Sequence, residues 1–253
     1  MFSEIFKTLF YAGEIVMNFY DRKEKILIEY KKDQSPVTNV DTLVSNLLLQ
    51  KLKKITPEIP CLSEEMLLNY RKCQNVKKYW LIDPLDGTKE FLSQKKEFTI
   101  NIALIKNEKP IFGAIFLPFN KILYYSCNNI AWKEKNGNKS VIKAKFSNFS
   151  ELNKIVVSRS HSDKELEKYL IDKKKFKIKK VGSSLKFCLI AEGKAQIYPR
   201  FGRTGIWDTA AGHIISVSAG AKVMTWNKKP LVYSLKNNSL YNPGFIVTVF
   251  NKL

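Results

Sequence analysis

Apolar residues recur at Phe2, Ile5, Phe6, Leu9, Ile15, Val16 and Phe19, a spacing that predicts an amphipathic first helix. Glu4, Lys7 and Glu14 interrupt it, so it reads as neither a signal-peptide core nor a membrane span. KILIEYK then reads as a short strand. In SPVTNVDTLVSNLLLQKLKKI, Val40, Leu43, Val44, Leu47, Leu48 and Leu52 fall on one side of a second helix. Thr38, with Asp41 three residues later, has the form of a capping box at its start. IPCLSEE and YWLID are extended pieces that end on acids. From Phe98 to Trp132 the runs FTINIALI, PIFGAIFL, ILYYSC and IAW, broken by NEKP and FNK, predict an antiparallel meander.

The pattern changes near residue 147, after KNGNKSVIKAKFSNFS. Beyond it strands and helices alternate: KIVVSR, a helix from about Asp163, FKIKKVG, a helix through SLKFCLIAEG, AQIYPR, a helix from about Asp208, AKVMTW and GFIVTVF. Such alternation predicts an α/β layer. With no internal repeat or low-complexity linker, we expect two tightly packed halves with a cleft between them. Residues 1–147 would form an α+β half with an antiparallel sheet and most of the chemistry, and residues 148–253 an α/β half.

Charge narrows the partners. The 253 residues carry 43 Lys+Arg against 23 Asp+Glu, a formal net charge of +20. That surplus suits nucleic acid, an anionic membrane surface or small polyanions. No RRM, KH or zinc-finger pattern accompanies it. The lysines are scattered through KKDQ, KLKK and DKKKFKIKK among asparagines and isoleucines, as AT-rich coding would also produce. We therefore expect no specific nucleic-acid partner. Peripheral contact with the cytoplasmic face of an anionic membrane stays open, as does the oligomeric state. Cys61, Cys73, Cys127 and Cys188 contain no CxxC pair, which predicts reduced, buried thiols in a cytoplasmic protein rather than disulfides or zinc.

The chemistry gathers in YWLIDPLDGTKEF. Asp83 and Asp86 flank a Pro84-Leu85 turn that leaves the Leu85 carbonyl free. Two carboxylates so close repel unless a cation lies between them. Glu64 in CLSEE ends another extended piece, and Asp208 in GIWDTAAGH opens a helix. Carboxylate and carbonyl oxygens favour Mg²⁺ or Mn²⁺ over zinc, and Gly87 and Thr88 begin a turn or helix whose free amides suit a phosphate. Together these describe metal-assisted phosphoryl hydrolysis. DPLDGT also has the composition of a plain Asx or β-turn.

DPLDGTKEF resembles the first signature of the inositol monophosphatase superfamily of Mg²⁺-dependent phosphatases; WDTAAGHII resembles the second, and LSEE its acidic preface. SPVTNVD, EFTINIALI, SRSH, GSSLKFCLIAEGKAQIYPRFG and IWDTAAGH are similar to its CysQ-type 3'(2'),5'-bisphosphate nucleotidase branch, over nearly the whole chain. The resemblance implies an α-β-α-β-α layered sandwich. It implies hydrolysis of 3'-phosphoadenosine 5'-phosphate (PAP) to AMP and phosphate, with two or three Mg²⁺ ions. It also implies metal ligation by Glu64, Asp83, Asp86, Asp208 and the Leu85 carbonyl. Thr88 would orient the attacking water, assisted by Glu64, with Asp41 as base or orienter.

The amides of Gly87 and Thr88 would hold the scissile phosphate. Substrate contacts would extend over Glu64, Leu85, Asp86, Gly87, Thr88 and Asp208. Ser160, His161, Gly182 and Lys186 would complete them. Against this, His161 could be a surface histidine and Lys186 could lie on a solvated helix face. His213 reads as a structural histidine and Glu65 as a supporting or surface acid. Arg203 and Gly205 depart from the branch, which has proline and asparagine there. An inositol-phosphate phosphatase, or a basic RNA- or membrane-binding protein with a merely structural DPLDGT, are the alternatives.

Overall fold

The computed structural model describes residues 2–67, 70–145, 153–160, 163–236 and 239–250. The expected boundary near 147 and His161 lie outside these. In chain order the elements are α1 (Phe2–Tyr20), β1 (Ile28–Tyr30), β2 (Pro36–Thr38), α2 (Asn39–Ile55), β3 (Cys61–Ser63), α3 (Tyr70–Gln74), β4 (Lys78–Asp86), α4 (Thr88–Leu92), β5 (Thr99–Lys106), β6 (Lys109–Leu117), β7 (Ile122–Cys127), β8 (Ile130–Lys135) and β9 (Asn138–Val141). There follow β10 (Lys154–Ser158), α5 (Lys164–Ile171), β11 (Lys177–Val181), α6 (Leu185–Ala191), β12 (Ile197–Arg200), β13 (Thr204–Gly205), α7 (Ile206–Ser218), β14 (Lys222–Thr225), β15 (Tyr241–Asn242) and β16 (Phe245–Thr248).

Two sheets organise the chain. The first runs β3-β4-β5-β6-β7-β8-β9 and is antiparallel except where β3 pairs parallel to β4. The second runs β11-β10-β12-β16-β14, with parallel pairs at β10 and antiparallel pairs at β16. Strand alternation decides what each face covers. Trp80, Ile82, Ile100, Ile102 and Leu104 pack on one side with Ile5, Leu9, Val44 and Leu48 of α1 and α2. Tyr79, Leu81, Ala103 and Ile105 point to the other side, where Phe187 and Ile190 of α6 and Ala211 and Ile215 of α7 meet them. The far side of that helical layer rests on Val156, Tyr198, Phe245 and Val247 of the second sheet. Ile155, Val157 and Ile246 face outward onto Leu166 of α5. The order is therefore α-β-α-β-α, as the resemblance implied.

Small residues let α7 sit deep in the middle layer. A Cβ on Gly212 would lie 2.3 Å from the Phe187 ring, so α6 and α7 approach more closely than any larger residue allows. The lysine run FKIKK becomes β11, an edge strand whose Lys177, Lys179 and Lys180 are exposed; lysines on a free edge discourage pairing with another chain. Among the described residues no helix is long and apolar enough to cross a membrane. The four cysteines are unpaired, and Cys61, Cys73 and Cys188 are buried.

Candidate active site

Alternation alone would send Asp83 and Asp86, three residues apart, to opposite faces of β4. The register prevents this. Asp83 pairs with Asn101 and Asp86 with Thr99, so Pro84 and Leu85 stand against the single residue Ile100 and form a bulge. Both carboxylates then face the α6–α7 layer, on the side of Tyr79 and Leu81. Asn101, on that face of β5, offers its Nδ2 to Asp83 Oδ2 at 3.4 Å and to Asp86 Oδ2 at 3.3 Å.

Three acids from three elements converge. One carboxylate oxygen from each of Glu64, Asp83 and Asp208 lies within 4.8 Å of the others. Glu64 follows β3, and its N–H donates to the Ile82 carbonyl at 3.1 Å, which fixes it beside the end of β4. Asp208 sits in the first turn of α7, which begins at Ile206, two residues before the expected start. Burial, and then the neighbouring carboxylates, hold Asp83 and Asp208 well above the usual carboxylate range. Burial pushes Glu64 up to about 7, against the opposing pull of Lys31.

Asp86 stands beside this trio and is turned toward Ser184, whose N–H and hydroxyl donate to Oδ2 at 2.6 and 2.5 Å. Its carboxyl is also raised, burial outweighing these bonds and the charge of Lys186. The Leu85 carbonyl lies 3.1 Å from the Thr88 hydroxyl, whose one proton has Asp41 Oδ1 as an alternative acceptor at the same distance, so the carbonyl is free when the proton is turned to Asp41.

Gly87 carries the chain out of β4 with φ +92°, and a Cβ there would stand 3.0 Å from the Glu97 carbonyl. Only glycine meets both conditions at little cost. Thr88 opens α4, and its Oγ1 lies 3.1 Å from Asp41 Oδ1. Asp41 serves two structures at once. Its Oδ2 accepts from the N–H and hydroxyl of Thr38 at 2.8 and 2.5 Å, completing the capping box of α2. Burial keeps its carboxyl above the ordinary range despite those bonds.

A cavity of about 400 Å³ opens over these groups. Its wall carries the acids Glu64, Asp83, Asp86 and Asp208 with Gly87 and Thr88, and also the basic and aromatic groups Lys186, Arg200, Tyr198, Arg203 and Tyr241. Lys186 does not lie on a solvated face. It is 5 % exposed, with Nζ donating to the Ser183 and Val181 carbonyls at 2.5 and 3.3 Å and lying 5.2 Å from the Tyr198 ring. Burial lowers its pKa to about 8, against the attraction of Asp86.

Ser160 reaches the cavity wall and donates to Glu90 Oε1 at 2.5 Å. Gly182 also lines it, with its N–H given to Glu97 Oε2 at 2.8 Å, while Arg159 pairs with both oxygens of Glu97 at 2.9 Å. His213 is distant from this chemistry in its bonding: Nδ1 meets the Tyr233 hydroxyl at 3.1 Å, and burial lowers its pKa to about 4. Arg203 stacks on Tyr241, its guanidinium carbon 4.8 Å from the ring centroid.

Several residues of the site escape a reading of the sequence. Lys31 bridges Glu64 and Glu65, with Nζ 2.7 Å from an oxygen of each, yet KKDQ reads as scattered surface charge. Those two contacts outweigh burial and raise the Lys31 pKa. Ser184 and Asn101 had visible signals, in the GSS turn and in a lone amide within the apolar run FTINIALI.

The residues present fit a hard divalent cation. The donors are all oxygen, they converge, and their mutual repulsion is what a cation would relieve. The sequence profile of the inositol monophosphatase family matches residues 2–247. The chain is 50% identical over 236 residues to the 3'(2'),5'-bisphosphate nucleotidase CysQ of Buchnera aphidicola, covering 92% of this chain and 88% of that protein. It is 44% identical over 239 residues to the same-named protein of Escherichia coli strain K12, covering 94% and 96%. The crystal structure of CysQ from Bacteroides thetaiotaomicron superposes with a TM-score of 0.80 at 35% identity, covering 96% of this chain and 95% of that one. With an α-β-α-β-α frame bringing Glu64, Asp83 and Asp208 together above Thr88, and with that match from end to end, the chain belongs to the inositol monophosphatase family.

Proposed function

We propose that the protein is a Mg²⁺-dependent 3'(2'),5'-bisphosphate nucleotidase that hydrolyses the 3'-phosphate of PAP to AMP and phosphate, in support of sulfate assimilation. The observation that carries the reading is a cavity whose wall holds both the acid cluster beside Thr88 and the cations Lys186 and Arg200. A substrate with two phosphates can place one at the metal-binding acids and the other at these cations. An inositol monophosphate offers only one.

Glu64, Asp83, Asp86, Asp208 and the Leu85 carbonyl would hold two or three Mg²⁺ ions. When bound, magnesium supplies charge neutralisation for the phosphoryl oxygens and a lowered pKa for water. The chain's own groups do the rest. Thr88 Oγ1 gives its proton toward Asp41 Oδ1 and so turns a lone pair toward the attacking water, which it orients. Glu64, in the acid cluster beside Thr88, assists and can accept a proton from that water. The amides of Gly87 and Thr88 hold the phosphate. A bond from the water oxygen to phosphorus forms, the bond from phosphorus to the 3'-oxygen breaks, and the 3'-oxygen takes up a proton from solvent, to which Glu64 in turn releases the one it accepted. Ser160, Gly182 and Lys186 line the side that receives the rest of the nucleotide.

The test is phosphate release with Mg²⁺ and after chelation, compared as kcat/KM on PAP and inositol 1-phosphate. One extra charge-assisted contact predicts a preference for PAP of about tenfold or more. Preference for inositol 1-phosphate would keep the acidic site and overturn the substrate.

A further inference from the structure

Glu90 is a cavity-wall residue for which the hydrolytic scheme has no use. It lies two residues beyond Thr88 and is 5 % exposed. Two glycines make room for it and fix its direction. A Cβ at Gly182 would stand 2.7 Å from Glu90 Cγ, and one at Gly87 would stand 3.5 Å from Oε2. Oε1 accepts the Ser160 hydroxyl. Among the described residues Oε2 accepts no hydrogen bond and no lysine or arginine pairs with Glu90, although the residue borders the cavity. Nor does it belong to the acid trio.

Oε2 keeps contact with water at the cavity wall, and a donor brought by the ligand can take that water's place. A phosphate cannot serve, because it brings only acceptors and like charge. A hydroxyl can. Oε2 lies beside Gly87, the expected anchor of the scissile phosphate, so the hydroxyl must come from a carbon next to the one bearing the ester.

Resting on the phosphomonoesterase reading above, we propose that Glu90 is a specificity-determining residue. Its Oε2 accepts a hydrogen bond from the hydroxyl vicinal to the scissile phosphate, which in a nucleoside 3',5'-bisphosphate is the ribose 2'-hydroxyl. Ser160 holds the other oxygen and so aims the carboxylate. Whichever of the two neighbouring ribose oxygens carries the phosphate, the other is a hydroxyl and can be read in this way.

The test compares kcat/KM for adenosine 3',5'-bisphosphate and 2'-deoxyadenosine 3',5'-bisphosphate, in the wild type and in Glu90→Gln. A hydrogen bond to a charged acceptor predicts a ribo preference of about ten- to a hundredfold in the wild type. Glu90→Gln should lose most of that preference. A wild type that cleaves both esters equally well overturns the assignment and leaves the phosphatase reading standing, whereas one that cleaves neither overturns both. A variant that slows on both substrates in proportion, with the preference intact, assigns Glu90 to structure alone and also overturns it. The wild-type comparison needs no substitution, so it decides the matter even if the variant fails to fold.

Discussion

Replacing Asp83 by asparagine should make the metal-free protein more stable while disabling it. At 4.8 Å, the outer limit of the trio, two full charges repel by about 3.5 kcal/mol at an effective dielectric of 20. Asp83 faces both Glu64 and Asp208, but the raised pKa values mean that protonation already relieves part of this. A net gain of about 1–3 kcal/mol remains, or a Tm rise of about 2–12 °C for a chain of this size. The fold can accept the amide. One oxygen still takes the Leu85 N–H, and Asn101 can turn its Oδ1, buried and without a hydrogen-bond partner, toward the new donor. The size of the gain varies with pH. Carboxyls raised in the folded state contribute stability that is complete below their unfolded pKa and lost as pH rises through the folded one. For Glu64 that window runs from about 4 to about 7, so the gain in Asp83→Asn should be larger at pH 8 than at pH 5. The assay is thermal unfolding in chelator, and then with Mg²⁺. At a hundred times its Kd the ion should add about 2.7 kcal/mol to the wild type and far less to the variant. A variant that melts below the wild type in chelator at pH 8 would refute the reasoning, because Asp83 would then hold the fold rather than a cation.

Gly87→Ala should cost about 1–3 kcal/mol, from a left-handed backbone and a Cβ 3.0 Å from the Glu97 carbonyl; unchanged melting and turnover would show that the turn is not constrained. Lys186→Met, which keeps the apolar stem against Tyr198, should raise KM for PAP with kcat little changed, and an unaltered KM would remove Lys186 from substrate binding. His213 stays neutral in the fold to about pH 4, so the unfolded chain takes up its proton first and stability falls as pH drops from about 6.5 to 4. In Mg²⁺ the wild type should lose up to about 3 kcal/mol more than His213→Gln across that range, less to the extent that the half-buried ring keeps contact with water; parallel pH profiles would contradict this.

The layers were legible because both periodicities were clean. Alternation in FTINIALI and helical spacing in NVDTLVSNLLL each assign one face to the core, and the Thr38–Asp41 box marked the start of α2 correctly. The convergence of Glu64, Asp83 and Asp208 was legible only as a list of acids at element ends. What joins them is the bulge at Pro84-Leu85, a register event between β4 and β5 that no single strand declares. Lys186 on a helix looks solvated, yet its side chain folds back onto the carbonyls of its own entry turn. Lys31 and Glu64 lie 33 residues apart, and a charge run does not say which lysine turns inward. Arg203, a departure from its branch, proves to lie on Tyr241 at the cavity rim, a contact between residues 38 positions apart.

The central claim is that Glu64, Asp83 and Asp208 share a cation at the place where phosphate is cleaved. Crystals soaked with Mn²⁺ and AMP test it most directly, since manganese scatters anomalously and takes the same oxygen ligands as magnesium. We predict an anomalous peak in direct coordination to all three carboxylates, with Lys31 withdrawn from Glu64. Manganese bound elsewhere, with Lys31 still seated between Glu64 and Glu65, would contradict the account.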